Sequence, residues 1–391
     1  MQSFLVDQSE RMCYTGFSEV FNVKAISFFA GAGGLDLGII KAGFDLRLSV
    51  ELESVYCETL EKNHPGLTIK QGDIMEYNRE RIYKEAELDQ HIEIDLMIGG
   101  SPCQSFSTAG NRQAFSDPRG KAMLKYADLV NEVQPKFFLL ENVKGFLSAA
   151  LKHRPLNQRG EEFPPLTDEE QPGGALRHLL EHFGNYNVKL KLINAADYGV
   201  PQTRERVFIV GTRNDLDINY EFPEATHDKN GVDGKANWIT LGRILENLDV
   251  KKHHYPNYSE KRLRFMKLIP RGGGNWRDLR PYGDDMVREA MGGAYHSGGG
   301  KVGFFRRLSV HKPSPTLLTS PAQNSTNLGH PYEDRPLSIE EYLEIQGFPR
   351  GFEVAGSLTQ QYTQIGNAVP VQLAEVLGIS IAQHLRMLQT I

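Results

Sequence analysis

Residue types able to attack and protonate an aromatic ring stand at the ends of separate apolar runs in this chain. Cys103 lies in Gly99-Gly100-Ser101-Pro102-Cys103-Gln104-Ser105-Phe106-Ser107, directly after Asp95-Leu96-Met97-Ile98. A free cysteine most often packs as a small hydrophobe. Two glycines and a proline before it, with small polar residues after it, instead place this thiol at a strand-to-loop turn. Strand ends are where open α/β folds bind ligands, and an exposed, activated thiolate is a nucleophile. Glu141-Asn142-Val143 follows Phe137-Phe138-Leu139-Leu140, a carboxylate at the tip of a second apolar run. Loss of water there raises its pKa and suits Glu141 to proton donation. Gln202-Thr203-Arg204-Glu205-Arg206 precedes a third run. In an extended stretch its two arginines point the same way and can brace a carboxylate or a phosphate. A thiolate, a carboxyl and guanidinium groups form the set needed for nucleophilic attack on a heteroaromatic ring.

A second constellation points to a nucleoside-containing cofactor. Phe29-Ala30-Gly31-Ala32-Gly33-Gly34-Leu35-Asp36 joins an apolar run to a helical stretch. Glycines there let backbone approach a ligand and aim helix N-terminal amides at it. The dinucleotide fingerprint needs glycine where Asp36 stands, which argues against a nicotinamide or flavin site. Glu51 ends the next run, where ribose hydroxyls are held in such folds. Asp73, in Gly72-Asp73-Ile74, offers a carboxylate to an adenine amino group.

The elements that must position these groups alternate. Runs at 23–29, 46–50, 95–98, 137–140, 188–193 and 207–210 are short, apolar and β-rich, and helical patterns occupy 35–42, 55–63 and 121–133. That predicts an α/β fold with a doubly wound, mostly parallel, Rossmann-like sheet. Residues 151–174, rich in proline and charge, read as a surface insertion in a loop. From about 221 the alternation stops, a helical pattern resumes near Ser338, and 369–388 reads as an amphipathic closing helix.

The chain has 391 residues, 40% apolar and 24% charged, so two domains of a soluble globular protein are expected. No apolar run approaches the ~20 residues of a membrane span. Residues 1–22 lack the basic start and apolar core of a signal peptide. Cys13, Cys57 and Cys103 stand at unrelated spacings, giving neither a disulfide framework nor a metal site, so the expected location is the cytoplasm. The net charge of −5 conceals a basic window, 251–312, with 14 Lys/Arg against 5 Asp/Glu. Such a window is built to meet an anion.

Taken together, the chain resembles a bacterial-type DNA (cytosine-5)-methyltransferase. Five motifs carry the resemblance in family order: Phe29-Ala30-Gly31-Ala32-Gly33-Gly34, Pro102-Cys103-Gln104, Glu141-Asn142-Val143, Gln202-Thr203-Arg204-Glu205-Arg206 and Gly366-Asn367-Ala368-Val369-Pro370. The resemblance implies a class I methyltransferase fold, S-adenosylmethionine as cofactor, and methyl transfer to carbon 5 of a cytosine flipped out of duplex DNA. It implies Cys103 as the nucleophile on carbon 6, Glu141 at the base's N3 and amine, and Arg206 with Arg204 orienting Glu141. Phe29, Ala30, Gly31, Gly33, Gly34, Glu51, Asp73, Pro102, Asn367 and Val369 are the implied cofactor residues. The loop 105–120 resembles the one that closes over DNA.

It further implies a catalytic domain of 23–220 plus 335–391, a target-recognition domain of 221–334 and an N-terminal extension of 1–22. Gln104, Ser105, Arg112, Arg271, Asn275, Trp276, Arg277 and Lys301 are the expected DNA contacts, and no metal is expected. The partner would be double-stranded DNA met by a monomer, with a cognate restriction endonuclease acting separately as the other half of a restriction–modification system. The competing readings are an RNA cytosine-5 methyltransferase, disfavoured by the missing Cys-Phe-Thr signature, and a non-catalytic DNA-binding protein, disfavoured by the presence of Cys103, Glu141 and Arg206.

Overall fold

The apolar runs assemble into one seven-stranded sheet in a computed structural model that describes residues 23–101, 115, 117–248, 252–296, 298 and 301–388. Cys103, Pro102, Gln104, Ser105, Arg112 and the extension 1–22 lie outside the described residues. In chain order the strands are β1 (Lys24–Phe28), β2 (Asp45–Glu51), β3 (Thr68–Gln71), β4 (Leu96–Gly100), β5 (Phe137–Val143), β6 (Tyr186–Asn194), the short β7 (Gln202–Thr203) and β8 (Glu205–Arg213). The sheet order is β3-β2-β1-β4-β5-β8-β6, with β7 outside it. Only β8 runs against the direction of the other six strands. The chain winds outward from β1 to β3 and then crosses back to place β4 on the other side of β1. The resulting crevice at the carboxyl ends of β1 and β4 is the usual ligand position in a doubly wound sheet.

Successive strand residues alternate between two apolar layers, as the two-residue period requires. Ile26, Phe28, Met97, Phe138 and Leu140 face one layer, closed by α3 (Arg79–Glu85), α4 (Pro118–Val133) and α5 (Gly174–Glu181). Ala25, Leu96, Ile98, Phe137 and Leu139 face the other, closed by α1 (Gly34–Lys41) and α11 (Val371–Met387), while α2 (Ser54–Asn63) links β2 to β3. Helices α1 and α11 touch closely, because a methyl on Gly38 would overlap Ala374 Cβ and the Val371 carbonyl. The central strands are buried on both faces and read as unbroken apolar runs. At the edges, β3 is partly exposed, and β6 carries Lys189 and Lys191, charges that discourage strand addition.

Residues 241–367 add α6 (Leu241–Asn247), α7 (Glu260–Met266), α8 (Asp284–Met291), α9 (Ile339–Gln346) and α10 (Leu358–Asn367). Phe265, Met266, Trp276, Leu279, Val287 and Phe305 form a small core wholly within 221–334. A neighbouring core joins Leu241, Leu308, Leu317 and Leu328 to Ile339, Tyr342, Tyr362 and Ile365, so it spans both sides of residue 334. The stretch Leu358–Met387 is apolar and long enough to cross a membrane, yet 72% of its apolar window is buried inside the protein. Residues 368–370 also interrupt it between α10 and α11. The insertion 151–174 forms short 3-10 turns at the surface, fastened by the Arg154–Glu170 ion pair.

Candidate active site

A cavity of about 470 Å³ opens where β1, β2, β4 and β5 end. Phe29, Ala30, Gly31 and Gly34 form one wall. Phe29 takes φ 57, a left-handed conformation that bulky residues adopt only where surrounding structure enforces it. Gly33 stands behind this wall as the N-cap of α1, with φ 80. Glu51 ends β2 on the opposite wall, its Oε2 accepting from Gly31 N at 2.8 Å and its Oε1 from Glu53 N at 3.0 Å. Burial pushes its pKa up, against the pull of these N–H donors. A carboxylate has about four acceptor positions, so both oxygens keep capacity for a ribose diol. Asp73 also lines the cavity, with Oδ1 accepting from Met75 N at 2.9 Å.

The far end of the chain closes the same cavity. Asn367 and Val369 line it, and a methyl on Gly34 would overlap the Val369 carbonyl. Glycine is therefore required at Gly34 for close approach between the first helix and the 367–369 turn. The donor set suits a nucleoside with a cationic tail: two carboxylates, a turn of backbone amides and an aromatic ring.

Glu141 and Arg206 share this cavity. Arg206 Nε donates to Glu141 Oε1 at 2.8 Å, both side chains being largely buried. Strand register explains the pairing: Val143 lies opposite Arg206, so Glu141 is its diagonal neighbour on the same sheet face. Burial pushes the Glu141 carboxyl up, against the charges of Arg206 and then Arg204. Burial at the tip of β5 thus favours the protonated carboxyl, the direction that suits acid catalysis. Ser101 N donates to the Glu141 carbonyl at 3.2 Å, and Asn142 Nδ2 donates to Ser101 Oγ at 2.9 Å. These bonds pin the end of β4 to the tip of β5, so the chain enters the Cys103 segment beside Glu141. Neither Ser101 nor Asn142 is marked by sequence type alone; only the strand register shows that they meet.

Arg204 makes contacts that its spacing alone does not show. It is 1% exposed and donates to the carbonyls of Leu317 at 3.3 Å, Gly366 at 3.0 Å and Asn367 at 3.1 Å. These bonds fasten the Asn367 turn, and Arg206 pairs directly with Glu141. Nearby, β11 (Ser314–Pro315), the last of three two-residue strands after β9 (His227–Asp228) and β10 (Ala236–Asn237), pairs with β7. Gln202 Nε2 donates to Gln346 Oε1 at 2.8 Å, and Gln346 Nε2 donates to the carbonyls of Ile365 at 2.6 Å and Ala368 at 3.0 Å.

Three of the expected DNA contacts also bond or pack within the protein. Asn275 caps the turn Trp276–Tyr282, its Oδ1 accepting from Arg277 N at 3.0 Å and its N–H donating to Asp278 at 2.8 Å. Trp276 belongs to the small core, and Lys301 Nζ donates to the Tyr295 carbonyl at 2.6 Å. A polar residue before an aromatic one serves a helix cap and a base contact equally well on paper; the structure shows the cap. Arg271 and Arg277 are exposed, Arg271 beside Asp334 at 3.5 Å. Arg280, which sequence reasoning passed over, is exposed too and lies 5.1 Å from the Trp276 ring centre.

The sequence pattern of C-5 cytosine-specific DNA methylases matches residues 23–383. The chain belongs to that family. This methylase is 37% identical to the Type II methyltransferase M.Sau96I of Staphylococcus aureus, over 94% of this chain and 79% of the relative. It is 35% identical to the Type II methyltransferase M.FnuDI of Fusobacterium nucleatum, over 93% of this chain and 95% of the relative. Among solved structures it resembles a protein described as a DNA modification methyltransferase encoded within an Escherichia coli prophage. That match has a TM-score of 0.62 and 25% identity, covering 93% of this chain and all of the other. A Dnmt2 methyltransferase of S. pombe shares the fold, with a TM-score of 0.55 at 15% identity. The methylase modifies carbon 5 of cytosine in DNA and takes its methyl group from S-adenosylmethionine.

Proposed function

We propose that this methylase modifies one cytosine within a short sequence of double-stranded DNA, as the protective half of a restriction–modification system. The reading rests on one observation above all: the buried Glu141–Arg206 pair shares a cavity with Glu51 and Asp73 and sits where the Cys103 segment begins. The target base leaves the helical stack to reach that cavity. The Cys103 thiolate adds to carbon 6, and Glu141 holds or protonates N3, so the ring becomes an enamine nucleophilic at carbon 5. S-adenosylmethionine supplies the methyl group that carbon 5 accepts. Loss of the carbon 5 proton and expulsion of the Cys103 sulfur restore the aromatic ring. Arg206 keeps Glu141 oriented throughout, and Arg204 acts at one remove by fixing the Asn367 turn.

Glu51 takes the ribose hydroxyls, Asp73 the adenine amine and Phe29 the adenine face, with Ala30, Gly31, Gly33, Gly34, Pro102, Asn367 and Val369 shaping the surroundings. Residues 221–334 form the target-recognition part, in which exposed Arg271 and Arg277, with Gln104, Ser105 and Arg112, meet the DNA. The protein acts as a monomer in the cytoplasm, with a separate endonuclease as its counterpart. Bisulfite sequencing of DNA from cells expressing the chain tests this: 5-methylcytosine should occupy one short context. Unmethylated DNA from well-folded enzyme supplied with donor and duplex would overturn it. Cys103→Ala should abolish transfer and keep donor binding, and an active variant would remove Cys103 from the nucleophile's role.

A further inference from the structure

Asp36, which breaks the dinucleotide fingerprint, is a buried carboxylate to which the chemistry above gives no task. It is wholly inaccessible to solvent. Its Oδ1 accepts from Ser27 Oγ at 2.6 Å and its Oδ2 from Ser49 Oγ at 2.5 Å. Ser27 belongs to β1, Ser49 to β2 and Asp36 to the first turn of α1, so one carboxylate laces three elements together. The residue next to each of them, Phe28, Val50 and Leu35, lines the cofactor cavity. Asp36 therefore stands one residue behind the cavity wall. No cation pairs with it among the described residues. The hydroxyls of Ser27 on β1 and Ser49 on β2 and its own backbone N–H act on it, and Glu51 of β2 is the charged group that acts on it.

Burial outweighs the two hydroxyl donors and pushes this carboxyl up to about 6. At neutral pH it is mostly ionised. A buried charge without a counter-ion acts on a neighbouring site with less screening than a surface charge, because little solvent lies between them. S-adenosylmethionine carries a sulfonium centre, whereas the product left after transfer is a neutral thioether. The two differ by one methyl group and one positive charge.

We propose that Asp36 is a positioning residue whose charge makes the cavity prefer the sulfonium donor to the thioether product. The inference depends on the reading that this cavity holds the donor. Calorimetric titration of S-adenosylmethionine and S-adenosylhomocysteine into the parent and Asp36→Asn separates the two ideas. The variant keeps the shape and removes the charge. Its donor-to-product affinity ratio should fall by about fivefold, mainly through weaker donor binding. The parent's ratio should fall similarly between pH 7.5 and pH 5, on protonation of a group titrating near 6. Equal weakening of both ligands, or a ratio within twofold of the parent, overturns the proposal. A parent that binds neither ligand overturns the cavity reading instead. Should Asp36→Asn fail to fold, Ser49→Ala decides: losing one donor should move the pH at which the ratio falls upward, and an unmoved midpoint counts against the proposal.

Discussion

Asp36 sets preference against stability within one side chain. Its carboxyl titrates near 6 in the folded protein and near 3.8 when unfolded. The folded state therefore holds its proton more tightly between those values. The stabilising contribution is complete below about pH 4 and is lost as pH rises through 6, roughly 3 kcal/mol in all. Asp36→Asn should thus gain on the parent over this window, and denaturant unfolding at a series of pH values reads the difference directly. A constant difference from pH 4 to pH 7 would show that Asp36 titrates normally. Elsewhere at this scale, what the sequence reveals depends on whether an apolar run marks the residue's place. Glu141 and Arg206 are legible because each ends or begins an apolar run. Arg204 looks like a twin of Arg206, yet its carbonyl partners come from residues 317, 366 and 367, more than a hundred positions on. Asn275 is a cap whose partner lies three residues away at Asp278.

Helices and strands were legible where their apolar pattern ran long enough to show. The central strands and α1, α4 and α11 follow from apolar runs and periodicity. The short β3 and α3 do not, since a half-exposed edge strand and a seven-residue helix carry weak patterns. The direction of β8 is physical rather than compositional: only residues 195–204 separate it from β6, too few for a helical crossover, so it returns antiparallel. Contact between α1 and α11 is a tight element-scale requirement behind the cofactor site. Gly38→Ala would press a methyl against Ala374 and the Val371 carbonyl. We expect a loss of about 1–3 kcal/mol in urea unfolding, with weaker donor binding because α11 follows directly on the 367–369 turn. Gly184→Ala, where an added methyl meets nothing within 4 Å, should be nearly neutral. Equal effects of the two substitutions would show that backbone entropy, not the helix contact, governs Gly38.

At the scale of the molecule, the first and last parts of the sequence build one site. Phe29, Gly31 and Glu51 come from the first strands, Asn367 and Val369 from the final turn, and the core between them includes residues from either side of position 334. This long-range closure is what sequence patterns convey least: order along the chain is visible, but which turn lies on which is decided by packing such as Gly34 against Val369.

The contact of α1 with α11 and the pairing of β7 with β11 also bear on covalent connectivity. Both join residues before 229 to residues after 234, across an exposed turn at 229–234 that includes Gly231 and Gly234 at positive φ. An interruption there would leave two polypeptides, each carrying half of several interlocking surfaces. Co-expressed fragments 1–230 and 231–391 should therefore reassemble and restore methylation to cellular DNA, while either fragment alone should give none. Two soluble fragments that never methylate would show that continuity of the chain, and not only the packing of its ends, is needed to build the enzyme.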